Sequence, residues 1–210
     1  MNIIDKATTY IDKEVIVGEN VTIYPNVVIR GKTIIGDNTV IDSNTIINNS
    51  VIGNDNYIIS SVIECGNRIG DSNKIGPFSH LGENNEIGNS NKIGSYVEIK
   101  NSKIGDFNNL KHLTYIGNTT VSSNVNFGAG VVVANYHSKK NRKSNSVVSD
   151  FSSIGSNSTI VSPVSIGSNS LIGAGSIVTK DINDDSLYIN RGTEIYKNGY
   201  YKNDDLEDVI

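Results

Sequence analysis

The chain of 210 residues has no tryptophan, one cysteine, one methionine, three prolines and four phenylalanines. With so few large rings, any core it builds must be narrow and filled by aliphatic side chains. The lone Cys65 excludes an intramolecular disulfide and fits a reducing cytoplasm. It is expected to be an inert thiol on a turn or strand. No stretch approaches the roughly 18 apolar residues of a membrane helix, and no charged-then-apolar leader opens the chain. Neither a membrane span nor secretion is therefore expected. A net charge of −4 and a pI near 5.3 argue against a nucleic-acid-binding surface.

What is present is a six-residue beat. Aliphatic residues stand at Val17, Ile23, Ile29, Ile35, Ile41 and Ile47, then from Ile63 through Ile69, Ile75, Leu81, Ile87, Ile93 and Ile99. The beat resumes at Val148, Ile154, Ile160, Ile166, Ile172 and Val178. A helix repeats its apolar residues every three or four positions and a half-buried strand every second, so period six suits neither. It suits short strands joined by turns, each strand sending one aliphatic side chain inward, with coils stacked over a common core. The fold class is all-β. Repeats of this type form a left-handed parallel β-helix, a hand that the period alone does not give, here of about nine coils. Asparagine is abundant where turns must fall, because it tolerates left-handed backbone angles.

The beat shortens to five residues at Ile47 to Ile52, Ile58 to Ile63, Ile99 to Ile104 and Ile116 to Val121. It breaks outright between Val133 and Val148. These features divide the chain into a β-helix domain over 1–182 and a polar C-terminal tail over 183–210, where Asp184, Asp185, Tyr188, Tyr196, Tyr200 and Tyr201 fall. Residues 1–16 are expected to cap or begin the first coil, and 134–147 to form an extruded loop. That loop holds the only dense basic cluster, Lys139, Lys140, Arg142 and Lys143. The cluster suits the phosphates of a coenzyme or sugar phosphate, or simply keeps a solvated loop soluble.

The residues that break the repeat point to chemistry. Lys111-His112-Leu113-Thr114-Tyr115 puts a histidine, a threonine and a tyrosine where a plain coil has small polar residues. Val125-Asn126-Phe127-Gly128-Ala129-Gly130 is small and glycine-rich, and Ala134-Asn135-Tyr136 leads into the basic loop. Coils of about 17 or 18 residues stack Lys100 near Asn118, and Asn118 near Tyr136, with strands about 4.8 Å apart. His112 suits general-base work on an amine or hydroxyl. The plain alternative is a turn histidine bound to backbone.

At these residues the sequence resembles the acetyltransferase half of bacterial GlmU. The likeness rests on Lys111–Gly117, Asn124–Gly130 and Asn135-Tyr136, on Ile4–Asp12 at the start, and on Ile75–Phe78, Tyr96–Lys100, Val161–Val164 and Ala174–Asp181. It implies an acetyl-CoA-dependent N-acetyltransferase of amino-sugar phosphates, glucosamine 1-phosphate first among them, in UDP-N-acetylglucosamine biosynthesis. Acetyl-CoA would be a co-substrate, with no bound cofactor. The resemblance makes His112 the base. It gives the sugar phosphate to Lys100 and the sugar to Tyr115 and Asn126. It places acetyl-CoA against Ala129, Asn135, Tyr136, Ser156, Ala174 and Arg191. It also implies a cytoplasmic homotrimer whose neighbouring subunits complete each site.

Some hexapeptide-repeat proteins are instead zinc-dependent carbonic anhydrases. Their closely spaced histidines are not matched by His80, His112 and His137, so no metal is expected. Two departures from the resemblance concern the acceptor. The family has an arginine clamp after the leucine matching Leu81, where this chain has Gly82. It also has Asp-Gly after Asn-Tyr, where this chain has His137-Ser138 and a longer loop, with Lys143 the match for a family lysine. A different amino sugar or a nucleotide sugar is therefore an alternative acceptor, and a catalytically silent trimeric scaffold is the alternative outside enzymes. No glycine-rich nucleotide loop precedes the repeats, so uridylyl transfer is not expected of this chain.

Overall fold

The structure is a computed structural model, and it describes residues 1–192. Three parallel sheets of 11, 10 and 9 strands form the faces of a triangular prism, here called faces 1, 2 and 3. Successive strands visit the faces in turn, giving a left-handed β-helix of about 10 turns. Most strands are only two or three residues long, and each pairs in parallel with the strand one coil before and one coil after.

The turn count exceeds the nine read from the beat because coils exist at both ends where the beat is weak. Asn2–Ile3, Tyr10–Ile11 and Ile16–Val17 open faces 1, 2 and 3, so the first sixteen residues form the first coil. At the other end Leu187–Tyr188 adds a strand to face 1 by pairing with Leu171–Ile172. The tail residues beyond this point, Tyr196, Tyr200 and Tyr201 among them, lie outside the described residues. The interrupted stretch 134–147 holds an antiparallel hairpin, Tyr136–His137 against Arg142–Lys143, with a 3-10 turn at Ser138–Lys140.

The aliphatic row is the core. Ile23, Ile29, Ile41, Ile47, Ile58, Ile63, Ile75 and Leu81 are fully buried, each contributing about 1.5–3 kcal/mol by leaving water. The residue two positions earlier also points inward, which the beat did not reveal. That second row is Thr33, Thr39 and Thr45 in the early coils, then Ser50, Asn56, Ser61, Asn67 and Asn73, and beyond them Asn85, Asn91, Ser102 and Asn108. Asparagine thus serves in two places. In the turns, Asn20, Asn26, Asn38 and Asn44 take left-handed φ angles of 53–61°.

Inside, asparagines stack into a ladder. The Oδ1 of Asn56 accepts the Asn73 N–H at 2.8 Å, that of Asn73 accepts the Asn91 N–H at 2.9 Å, and that of Asn91 accepts the Asn108 N–H at 2.8 Å. Asn108 passes the pattern to the Val125 N–H at 2.7 Å. The amide nitrogens of Asn56, Asn73 and Asn108 donate to turn carbonyls of the next coil, as Asn73 does to Gly88 at 2.9 Å, while that of Asn91 donates back to Asn73 Oδ1 at 3.1 Å.

The first coil is tied to the second through carboxylates. Asp12 accepts the Gly31 N–H at 2.8 Å and the Tyr10 hydroxyl at 2.8 Å, which together hold its carboxyl below the usual range. A depressed folded pKa contributes stability above the ordinary carboxylate range and loses it as pH falls through the lowered value. Acid is therefore expected to loosen the first coil early. Amide exchange at Gly31 should rise relative to mid-helix amides below about pH 4, and Asp12→Asn should remove that pH dependence.

The ladder gives a second expectation. Asn91→Ala leaves the buried Asn108 N–H without an acceptor, and should destabilise by about 2 kcal/mol or more. Asn38→Gly, at an exposed turn of φ 55°, should change stability by only a few tenths. Denaturant midpoints for the two variants check this. Equal shifts would show that the ladder contributes nothing beyond packing.

Candidate active site

A prism places its outward groups on faces and edges, and most of the expected site residues fall on edges. His112 ends the strand Asn109–His112 on face 1, at the edge leading to face 2, where it is exposed and registers with Ser95 one coil earlier. The turns of later coils continue this edge. The Gly130 N–H donates to the His112 carbonyl at 3.2 Å, and the Asn157 N–H to the Ala129 carbonyl at 2.8 Å. The Gly175 N–H donates to Ser156 at 2.8 Å, and the Arg191 Nε to the Ala174 carbonyl at 2.9 Å. His112, Ala129, Ser156, Ala174 and Arg191 therefore form one vertical file, a coil apart each. Four coil steps at about 4.8 Å give the file a length near 19 Å.

A second group gathers on the edge between faces 2 and 3. Lys100 ends the strand Glu98–Lys100 and registers with Gly117. Its stem lies over Gly82, whose missing Cβ would meet Lys100 Cγ and Cδ at 3.3 Å. Tyr115 begins the next strand and folds back over Gly117. A Cβ there would lie 2.5 Å from the Tyr115 hydroxyl and 2.6 Å from Asn135 Nδ2. Asn135 is buried, donates to Asn118 Oδ1 at 2.9 Å, and accepts the Ser144 N–H at 2.8 Å. These bonds anchor the hairpin that carries Tyr136, whose exposed hydroxyl donates to Asn141 at 3.1 Å.

The structure thus brings the expected residues into two clusters on neighbouring edges. Asn126 joins neither, since it stands exposed on face 1, in register with Asn109 and Ser153. The three histidines stand apart. His80 lies on face 2 between carboxylates, 2.9 Å from Glu64 and 3.9 Å from Glu98. His137 lies on the hairpin. Among the described residues, no group of three or more histidine, cysteine or acidic side chains could hold a metal ion.

The sequence reading missed two features beside His112. Phe78, Tyr96 and Leu113 occupy the left-handed turn position of three successive coils, at φ 60°, 58° and 48°. Such angles cost a bulky residue of order 1 kcal/mol each. Their exposed side chains form a ridge in which the Phe78 and Tyr96 rings stack 5.5 Å apart. The signal was present, since each breaks a run of Asn and Ser at that turn position. On the other side of the same turns lies a groove of about 360 Å³ lined by Lys74, Lys92, Ser95, Lys111 and His112.

The fold agrees with the known proteins that the chain resembles. Residues 6–84 match the GMPPB C-terminal domain, and residues 145–180 match the bacterial transferase hexapeptide of six repeats. Bifunctional protein GlmU from Lactococcus lactis subsp. cremoris is 46% identical over 108 residues, which is 51% of this chain and 23% of that protein. GlmU from Thermotoga petrophila is 43% identical over 106 residues, 50% of this chain and 23% of that protein. The chain spans about a quarter of the length of the curated relatives it matches.

Among solved structures, LpxA, a UDP-N-acetylglucosamine acyltransferase from Bacteroides fragilis, superposes with a TM-score of 0.54 at 20% identity. That match covers 85% of this chain and 68% of the other. The Arabidopsis UDP-N-acetylglucosamine acyltransferase gives 0.52 at 20% identity, covering 89% and 71%. At that identity both speak for the fold alone. The fold is a β-helix, and residues 145–180 carry the hexapeptide repeat found in bacterial transferases. Over the aligned half, the chain is similar to GlmU.

Gly117 offers a local test of the second cluster. Gly117→Ala must displace the Tyr115 ring tip and the Asn135 amide, loosening the base of the hairpin. Trypsin should then cut within Lys139–Lys143 several-fold faster, while overall stability falls by only about 1 kcal/mol. Unchanged cleavage would mean that the Asn118–Asn135 bond does not hold the hairpin.

Proposed function

We propose that this chain is an acetyl-CoA-dependent N-acetyltransferase acting on an amino-sugar phosphate, with glucosamine 1-phosphate the first acceptor to try. The observation that carries the proposal is the file of His112, Ala129, Ser156, Ala174 and Arg191 on one edge. A long, extended thioester donor can lie along such an edge with its acyl end beside His112. Small residues at 129, 156 and 174 let it approach the backbone, and Arg191 supplies a cation at the far end. The GlmU relatives, over the half of the chain that they match, support the same reading.

The chemistry is direct acyl transfer. His112 accepts a proton from the acceptor amine as the nitrogen attacks the thioester carbonyl. A C–N bond forms and the C–S bond breaks. The thiolate leaves and takes up a proton, returned by the imidazolium, so charge and protons balance. Backbone N–H groups at the turns are the available donors for the carbonyl oxygen as it gains charge. No covalent enzyme intermediate arises, and the exposed thiol of Cys65 takes no part.

Lys100, Tyr115 and Asn135 stand on the neighbouring edge, away from the His112 file. This separation supports a trimer in which the second edge of one subunit faces the first edge of another. Asn126, alone on face 1, suits the same sharing. A second acceptor reading rests on Gly82. Where the family clamps the sugar phosphate with arginine, this chain has only the stem of Lys100 lying over a glycine. That exchange favours a differently held acceptor, another amino sugar or a nucleotide sugar.

Thiol release from acetyl-CoA with glucosamine 1-phosphate, galactosamine 1-phosphate, glucosamine and amino-sugar nucleotides tests the proposal. His112→Ala should lower turnover by about 10²–10⁴-fold while leaving acetyl-CoA affinity and assembly intact. Full turnover in that variant would remove His112 from the mechanism. Absence of thiol release with every acceptor, together with no coenzyme binding, would leave the silent scaffold.

A further inference from the structure

We propose that the groove beside His112 is an anion seat for a phosphorylated acceptor, formed by Lys74, Lys92 and Lys111. The inference rests on the acetyltransferase reading only in taking His112 as the base. The groove itself follows from geometry. Lys74 and Lys92 occupy matching positions on neighbouring strands of face 1, and Lys111 comes from the strand after them. All three are exposed and line the same space of about 360 Å³ as His112, with Gly94 and Ser95 at its floor. No carboxylate lines it.

Charge makes the arrangement unusual for a surface of net −4. Like charges on directly opposed strand positions repel, and Lys74 and Lys92 are so opposed. None of the three lysines enters an ion pair among the described residues. Lys74 instead lies over the Tyr57 ring, its nitrogen 5.8 Å from the centroid. The larger groove on face 3 differs in this respect. It contains Arg68, Glu86 and Lys103, and Lys103 pairs with Glu86 at 2.9 Å. Face 3 pairs one of its two cations internally, whereas the groove beside His112 holds three lysines and no carboxylate.

Position along the edge assigns that ligand. His112 divides the edge in two. The coils after it carry the file that ends at Arg191, and its own coil and the two before it carry the lysines. A donor that lies along the later coils leaves the earlier coils to the acceptor. The acceptor's amine then meets His112 while its phosphate, or diphosphate, rests among Lys74, Lys92 and Lys111. Lys100 does not line this groove, so the seat is separate from the contact that the resemblance implies. It also offers a cationic replacement for the clamp absent at Gly82.

Inorganic pyrophosphate is the probe, titrated calorimetrically into the whole chain at about 50 mM and about 200 mM salt. Binding should weaken at the higher salt. Lys92→Ala and Lys111→Ala should each weaken it by roughly tenfold, Lys92→Arg should retain it, and Lys103→Ala on face 3 should match the parent. No binding by the parent chain, or binding by the two groove variants as tight as the parent's, overturns the proposal. Thiol release separates it from the enzyme reading. Lys92→Ala should raise KM for glucosamine 1-phosphate, or for uridine-diphosphate glucosamine if that is the better acceptor, and leave kcat and unphosphorylated glucosamine unaffected. Brisk turnover with KM indifferent to Lys92 sinks the groove and keeps the enzyme. Pyrophosphate binding that depends on Lys92, without thiol release from any acceptor, keeps the groove and sinks the enzyme.

Discussion

Every candidate site position in this molecule depends on how one coil sits on the next. The strands are too short to fix that alone, since a two-residue strand contributes few backbone bonds and its corners bury further polar groups. The inward asparagines resolve this. A carboxamide accepts the N–H of its counterpart one coil on, and several also donate to a carbonyl of that coil, as Asn73 does with Asn91 and Gly88. The interior of the middle coils is therefore apolar along its isoleucine row and a polar ladder along its second row. A slip of one residue would break the ladder and turn the isoleucines outward together.

With coils locked in register, sequence distance becomes height. Residues one coil apart stand above each other, and this is why separated segments assemble into files on the edges. It also explains how the hairpin is tolerated. The chain leaves the coil after Ala134 and re-enters at Ser146, and Asn118 of the coil before holds both ends. Its side chain accepts from Asn135 at 2.9 Å and its carbonyl accepts the Ser146 N–H at 3.2 Å. The solenoid treats the insertion as a lengthened turn. The basic side chains of the hairpin can then vary without disturbing the core.

How much of this was legible in the sequence differs by level. The isoleucine row from Ile23 to Val178 could be read directly, because one aliphatic per six residues has no other economical explanation. The short steps at Ile99 to Ile104 and Ile116 to Val121 were legible as shortened turns, and both fall at the edge between faces 2 and 3, beside Lys100 and Asn118. The ladder was not legible. Asparagine in a turn and asparagine in the core carry the same letter, and only register tells Asn89 from Asn91. Leu187–Tyr188 was missed as a strand because its aliphatic partner position is filled by tyrosine. The site residues were named through a resemblance. Their division between two edges, the Phe78–Tyr96–Leu113 ridge and the lysine groove emerged only once the coils were stacked.

The division between edges bears on what a single chain can do. An edge of a triangular prism is convex, and small-molecule sites normally bury 70–90% of their ligand's surface. The groove and the aromatic ridge adjoin only the His112 end of the file, and among the described residues no second wall stands over the rest of it. The ridge makes the point sharper, because three coils accept left-handed strain at Phe78, Tyr96 and Leu113 to hold apolar side chains out in water. A second copy brought against that edge would cover the ridge, close the site and deliver Lys100, Tyr115 and the hairpin from its own neighbouring edge. On the acetyltransferase reading, the convexity of the solenoid is thus the physical reason for a shared site. On that reading the stacked coils fix where each group stands, and a second surface is what would exclude water from them.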